Sequence, residues 1–291
     1  MDDGDQTRAD QEDADPPSGS HDRDTAHDAA GPDGQLDDGR DRIHGGRHYA
    51  VPDRLRSMRV AVIGGTGAEG FGLTLRLAAA GHEVTIGSRD AARGAEAAER
   101  ANASLADHTA VDAHASVAGA ANDDAAAIGE VVAVTVPFAG QAEIYRSIAR
   151  AIGSGSVVMD ATSPLATAVG GRAWHVVQPW HGSAAEQAAA ILGERARVVA
   201  AMHTIAAHAL DDLDRSIESD VLVCGDDDEA KQVVGGLIED IPGLRWVDCG
   251  ALSAARISET LTALMIGVNR RYRVRDAGFR IVGRDAWGTP P

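Results

Sequence analysis

The chain has 291 residues, a formal net charge of −17 and two cysteines, which is length enough for one large domain or two ordinary ones. So acidic a balance excludes a general nucleic-acid binder, which needs a basic footprint, and no apolar stretch approaches a membrane span. Cys224 and Cys249 lie far apart without CxxC spacing, so a reducing compartment and no structural zinc are expected.

Residues 1–57 hold 15 acidic and 7 basic residues, many Gly, Pro and Ser, and a single aromatic, Tyr49. Such a segment cannot bury enough apolar area to offset its ordering entropy, and a disordered acidic tail is predicted. It has neither the apolar core of a signal peptide nor the acid-poor character of a transit peptide. The expectation is a soluble, cytoplasmic protein ordered over 58–291. Lys231 is the one lysine against 26 arginines; this fits either a halophile-like protein kept soluble at high salt or the codon drift of a GC-rich genome.

Along the rest of the chain, "MRVAVIG" (58–64) reads as a buried strand and "GFGLTLRLAAAG" (70–81) as a helix closed by Gly81. "HEVTIGSR" (82–89) is a second strand, and an Ala-rich helix follows over 91–105. "VVAVTVPF" (131–138) is a strand stopped by Pro137, 142–153 is an amphipathic helix, and "SVVMDAT" (156–162) is again a strand. Residues 163–184, rich in Gly, Pro, Trp and His, read as a loop. Then come a helix (184–193), strands at 196–204 and 220–225, and a helix at 226–241 with acids in its first turn. A strand at 243–250 and a long helix at 253–273 complete the order. Strands alternating with helices predict an α/β fold: a Rossmann-type, doubly wound parallel sheet extended by a smaller C-terminal α/β part. The expected division is 58–181 and 182–291.

Gly65-x-Gly67-x-x-Gly70 at a strand-to-helix junction is the dinucleotide-binding fingerprint in its proper setting. Gly65 permits the turn, Gly67 lets the backbone approach a pyrophosphate, and Gly70 lets the helix pack on the sheet. An NAD enzyme tends to end its second strand on Asp or Glu, to accept hydrogen bonds from the ribose 2′-hydroxyl. Here the strand ends Gly87-Ser88-Arg89, with Arg93 one turn on. A hydroxyl and two guanidinium groups suit a 2′-phosphate and favour NADP. Arginines that merely solvate a helix start explain the pattern less well, because cations there oppose the macrodipole. His203 follows a strand that should end on the cofactor side of the sheet, where it can touch a second substrate or sit satisfied in a loop. No His cluster has metal-ligand spacing.

The segments "MRVAVIGGTGAEGFGLTLRLAAAGHEVTIGSR", "AMHTIAAHAL", "DVLVCGDDDEAKQVV" and "ISETLTALMI" together resemble the NADPH-dependent F420 reductases, also called F420H2:NADP oxidoreductases. The resemblance spans roughly 58 to 282 in one order. It implies an oxidoreductase that passes a hydride directly between NADP(H) and the deazaflavin coenzyme F420. Carried over motif by motif, it implies that Thr66, Gly67, Ser88, Arg89 and Arg93 hold NADP, with Arg93 where the family often has Lys. Pro137 and Phe138 would border the nicotinamide, where the family often has Trp after the Pro. His203 and Ile205 match residues lining the deazaflavin, and Thr260 and Thr262 match polar residues reaching the same coenzyme. Ala206 stands where the family tends to have Pro.

Arg270, Arg271, Arg273, Arg275, Arg280 and Arg284 form a basic run in an acidic chain. It suits either the phosphodiester and glutamate tail of the coenzyme or a helix C-terminus complemented by cations. Small-molecule cofactors as the only partners, with a homodimer or higher homo-oligomer, complete the expectation. An imine or ketone reductase on the same scaffold and a non-catalytic NADP sensor are the alternatives.

Overall fold

The computed structural model describes residues 57–108 and 115–283, so the expected tail up to residue 56 and Arg284 lie outside the described residues. Elements run β1 (Arg59–Ile63), α1 (Ala68–Ala79), β2 (Glu83–Ser88), α2 (Ala91–Ala106), β3 (Val117–Ala121), α3 (Asn122–Ile128), β4 (Val131–Val134), α4 (Phe138–Ile148) and β5 (Val157–Asp160). The chain continues through α5 (Ala184–Leu192), β6 (Arg197–Ala200), α6 (Ala207–Asp211), β7 (Ser219–Gly225), α7 (Asp228–Glu239), β8 (Leu244–Asp248), α8 (Ala255–Ser258) and α9 (Leu261–Tyr272). The strands form one sheet in the order β3-β2-β1-β4-β5-β6-β7-β8. Every pairing is parallel except β6 with β7, where Val199 and Ala200 face Gly225 and Cys224 in antiparallel register.

The apolar strands alternate their side chains between two cores. Val60 and Val62 face one side, with Leu73, Leu75 and Leu77 of α1, Leu105 of α2 and Val234 and Leu237 of α7. Ala61 and Ile63 face the other, with Tyr145 and Ile148 of α4 and Leu192 of α5. Both faces are therefore covered, as a parallel sheet requires, and this explains why β1 and β4 are apolar at every buried position instead of alternating with polar residues.

Three helices begin on side chains suited to the task. Asp90 accepts from the Ala92 amide at α2, Ser183 from Glu186 at α5, and Asp227 from Ala230 at α7. The α5 start is further held by Glu259, whose carboxylate accepts from the amides of Ala184 (2.7 Å) and Ala185 (2.9 Å). Residue 259 follows α8, and this inward pull accompanies the break between α8 and α9 where the sequence reads as one helix over 253–273.

Four further readings need correction. β3 and α3 were not expected. The strand expected over 196–204 stops at Ala200, because Met202 turns the chain with a left-handed φ of 70°. The strand expected over 131–138 is only Val131–Val134, and α4 already starts at Phe138. The loop at 163–184 contains a short 3-10 turn (Ala166–Val169) and an antiparallel bridge between Leu165 and Val176. Among the described residues no helix is long and apolar enough to cross a membrane.

Candidate active site

Strand order reverses between β1 and β4, and in an open parallel sheet ligands bind outside the carboxyl ends at such a point. The glycine turn leaves β1 there. A Cβ on Gly70 would lie 2.4 Å from Thr135 Oγ1 and 2.7 Å from the Gly64 carbonyl oxygen, so only glycine lets α1 start this close to the strand ends. Gly67 is the N-cap of α1 and offers no side-chain cap, and Pro137 at the start of α4 offers none either. The first amides of α1 are thus left for an outside acceptor, the chemistry of a pyrophosphate site.

At the end of β2, Ser88 is buried and Arg89 is exposed. The Asp90 carboxylate is engaged in capping α2 (2.9 Å to the Ala92 amide) and does not replace the missing ribose-binding acid. Thr66 and Arg93 line one cavity of about 620 Å³ together with Glu96 and Arg100. Arg100 lies over the Phe71 ring at 5.1 Å. Asn122 at the start of α3 is buried with an unpartnered Oδ1. A Cβ on Gly87 would lie 3.1 Å from that oxygen, which brings Asn122 to the edge of the Ser88 site. With β3 unrecognised in the sequence, this residue had no signal.

Pro137 is exposed and Phe138 half-buried at the β4–α4 junction. Beneath them lies a polar network the sequence did not reveal. Asp160, fully buried at the end of β5, accepts from Tyr145 (2.6 Å), Gln141 (2.9 Å) and the Thr162 amide (3.0 Å). Burial lifts its carboxyl to about 6 against these bonds. Gln141 also donates to the Ala184 carbonyl, and Gln187 donates to Gln141, so β5, α4 and α5 are locked together. Glu69, in the first turn of α1, is half-buried, and desolvation together with the charge of Asp160 lifts its carboxyl to about 8. Desolvation also carries Glu259 to about 8, although the two α5 amides oppose it.

His203 is buried, and neither ring nitrogen has a hydrogen-bond partner. Desolvation lowers its pKa to about 4, only partly offset by the Ala161 backbone, so the ring is neutral at pH 7. Buried polar atoms are nearly always satisfied; here the Ala161 backbone lies near one ring nitrogen outside good hydrogen-bond geometry, and the ring is left able to take a further partner. The preceding Met202, buried with φ 70°, sits in a conformation that costs a non-glycine residue about 1–3 kcal/mol. Such strain clusters at functional loops. Ile205 is buried in the core, and its amide closes the turn on the Met202 carbonyl at 3.0 Å. Thr262 Oγ1 donates to the His203 carbonyl at 2.7 Å, joining these two expected residues. Thr260 is not joined to them; it is the N-cap residue of α9, and its hydroxyl donates to the Ile257 carbonyl of α8.

The basic run is partly engaged. Arg270 lies 4.2 Å over the Trp174 ring, with Arg172 also against that ring at 5.3 Å, and Arg280 pairs with Glu218. Behind the site, Arg76 of α1 is buried and donates to the carbonyls of Ala209, Leu210, Asp212 and Arg215. Gly72 allows this approach, since a Cβ there would lie 2.6 Å from Leu210 Cβ.

Residues 59–164 match the family described as NADP oxidoreductase, coenzyme F420-dependent. The chain is 44% identical over 229 residues to an F420-dependent NADP reductase of Methanothermobacter thermautotrophicus, covering 78% of this chain and 96% of that protein. It is 38% identical over 224 residues to the enzyme of the same name from Methanocaldococcus jannaschii, covering 77% and 98%. The crystal structure of a putative F420-dependent NADP reductase from an Arthrobacter species aligns with a TM-score of 0.64 at 28% identity, covering 78% of this chain and all of that one. Extended identity at this level joins to the fingerprint turn and the strand order in a single conclusion: the chain belongs to the coenzyme F420-dependent NADP oxidoreductase family.

Proposed function

We propose that this protein is an oxidoreductase that transfers a hydride between NADP(H) and coenzyme F420. The observation that carries this reading is the neutral, buried and unpartnered ring of His203 on the same sheet edge as the uncapped start of α1. The two sites follow β6 and β1, three strand spacings apart, or about 14 Å. A dinucleotide anchored by its pyrophosphate at one end can present its nicotinamide toward the other. Family membership and the named relatives support the same pair of cofactors.

In this reading residues 58–181 hold NADP, and residues 182–291 form the F420 side of the cleft. Gly65, Thr66, Gly67 and Gly70 receive the pyrophosphate, while Ser88, Arg89 and Arg93 take the 2′-phosphate through charge-assisted hydrogen bonds. Pro137 and Phe138 border the nicotinamide; His203, Ile205, Thr260 and Thr262 line the deazaflavin. When bound, the cofactors supply the chemistry, a hydride moving between nicotinamide C4 and deazaflavin C5. The chain supplies orientation and water exclusion. A His203 ring with a pKa near 4 is a poor acid at pH 7, so it offers a neutral hydrogen bond and solvent handles the ring proton. The protein acts in the cytoplasm with small molecules as its substrates.

A homodimer or larger homo-oligomer belongs to the same proposal. In α9 only Ala263 is buried, and Leu264 there and Ile257 in α8 are 55% and 69% exposed. A second copy covering this face would remove that apolar area from water. The functional test is the absorbance of NADPH with and without F420, and with a ketone or cyclic imine in its place. Oxidation only with F420 is expected; turnover of the imine instead, or binding without turnover, refutes the reading.

A further inference from the structure

The Ser163 and Thr262 hydroxyl oxygens lie 2.6 Å apart, and Thr262 Oγ1 lies 2.7 Å from the His203 carbonyl oxygen. A carbonyl can only accept, and each hydroxyl carries one proton. The Thr262 proton is therefore committed to His203, and the proton between the two hydroxyls must come from Ser163. The direction of the chain is fixed: Ser163 donates to Thr262, and Thr262 donates to the His203 backbone. Neither hydroxyl has a proton left to offer. Ser163 keeps two lone pairs and Thr262 keeps one.

Ser163 is well placed to use them. It follows β5 within a segment held by the Thr162 amide on Asp160 (3.0 Å) and by the Leu165 amide on its own carbonyl (2.8 Å). It is only half-buried, and through Thr262 it is one bond from the loop that carries the orphaned His203 ring. A neutral imidazole offers one N–H donor and one acceptor nitrogen. Ser163 thus presents locked acceptor lone pairs next to the loop that carries this ring, the link running through the His203 backbone carbonyl. An N–H donor is the group complementary to that acceptor, and a cyclic imide carries one between its two carbonyls.

We propose that Ser163 is a specificity-determining residue of this site, a hydroxyl locked as an acceptor that selects a ring edge bearing an imide N–H. The proposal rests on F420 being the second substrate, since the pyrimidine-dione of a deazaflavin carries such an edge. It extends that reading to a residue outside the family motifs and predicts what the site rejects.

The experiment compares Ser163→Ala and Ser163→Thr in the full chain, using F420 and a deazaflavin methylated at the imide nitrogen. Ser163→Ala should raise the KM for F420 about five- to tenfold, the scale of one hydrogen bond, with NADPH affinity unchanged. Ser163→Thr, which keeps the hydroxyl, should restore most of the loss. Methylation should weaken binding to the wild type and cost much less with Ser163→Ala. An F420 KM within about twofold of wild type in Ser163→Ala overturns the proposal, as does an unchanged methylation penalty. Equal losses for NADPH and F420 also overturn it, since they indicate a packing role alone. A wild type that oxidises no NADPH with F420 overturns the functional reading itself, a result distinct from all of these.

Discussion

Replacing His203 with leucine exchanges a ring whose two nitrogens are buried without partners for an apolar side chain of similar size. An unsatisfied buried polar group costs about 1–3 kcal/mol, so the ligand-free variant should be about 1–2 kcal/mol more stable than wild type at pH 7. Acid should widen the gap. The folded-state pKa of about 4 lies below the ordinary histidine value of 6.5, so the unfolded chain takes up the proton first. The wild-type contribution is therefore complete above pH 6.5 and is lost as pH falls through 6.5 toward 4. Between pH 7 and pH 5 this linkage amounts to about 2 kcal/mol, a loss the leucine variant escapes. Urea unfolding of both proteins at the two pH values measures it directly. The same substitution should raise the KM for F420 at least tenfold, about 1.4 kcal/mol, and leave NADPH affinity near wild type. A variant less stable than wild type, or a stability gap that does not widen on acidification, would mean that the ring is hydrogen-bonded in the folded protein.

Arg89→Ala should weaken NADPH binding about tenfold or more, the scale of a lost charge-assisted contact, and leave NADH nearly unaffected; equal losses in a fluorescence titration would remove Arg89 from the 2′-phosphate. Gly70→Ala places a methyl 2.4 Å from Thr135 Oγ1 and 2.7 Å from a backbone oxygen, so it should abolish NADPH binding, and calorimetry showing wild-type affinity would contradict the turn geometry. Lys231 is buried with its ammonium 2.9 Å from both Asp248 oxygens and 2.9 Å from Asp228. Lys231→Met should destabilise the fold by about 3 kcal/mol, because Asp248 loses its main counter-charge, and a melting temperature equal to wild type would contradict this.

The legible parts of the chain are those in which local pattern and tertiary role coincide. β1, α1 and β2 combine a long apolar run, three glycines and a helical period, and each follows from its own residues. β3 was hidden because its sequence, VAGAA, is shaped by a neighbour: a Cβ on Gly119 would lie 2.2 Å from the Gly94 carbonyl of α2. A strand pressed that closely cannot carry the β-branched residues that announce strands. The glycine turn after β1 is readable for the same local reason. The network of Asp160, Gln141 and Tyr145, and the Glu259 contact with α5, join residues 15 to 75 positions apart, and no spacing rule connects them. His203 could be placed at a strand end, but its orphaned nitrogens are a property of what surrounds it. The arginine run shows the reverse difficulty: abundant charge in sequence, with Arg270 and Arg280 already engaged in space.

Arg76 stands nine residues beyond Gly67 on one unbroken helix, about 14 Å along its axis. At one end of that rod lies the glycine turn; at the other, the guanidinium grips the segment just after the His203 loop. The helix therefore works as a spacer of fixed length and fixed phase. One residue inserted between Gly70 and Arg76 would turn the guanidinium by about 100° and push it about 1.5 Å further, away from all four carbonyls. Length variation should accordingly be purged from this helix while being tolerated in the exposed stretch around Val169 and Trp180. The glycine turn and the segment after His203 are kept in gauge by the length of a single helix.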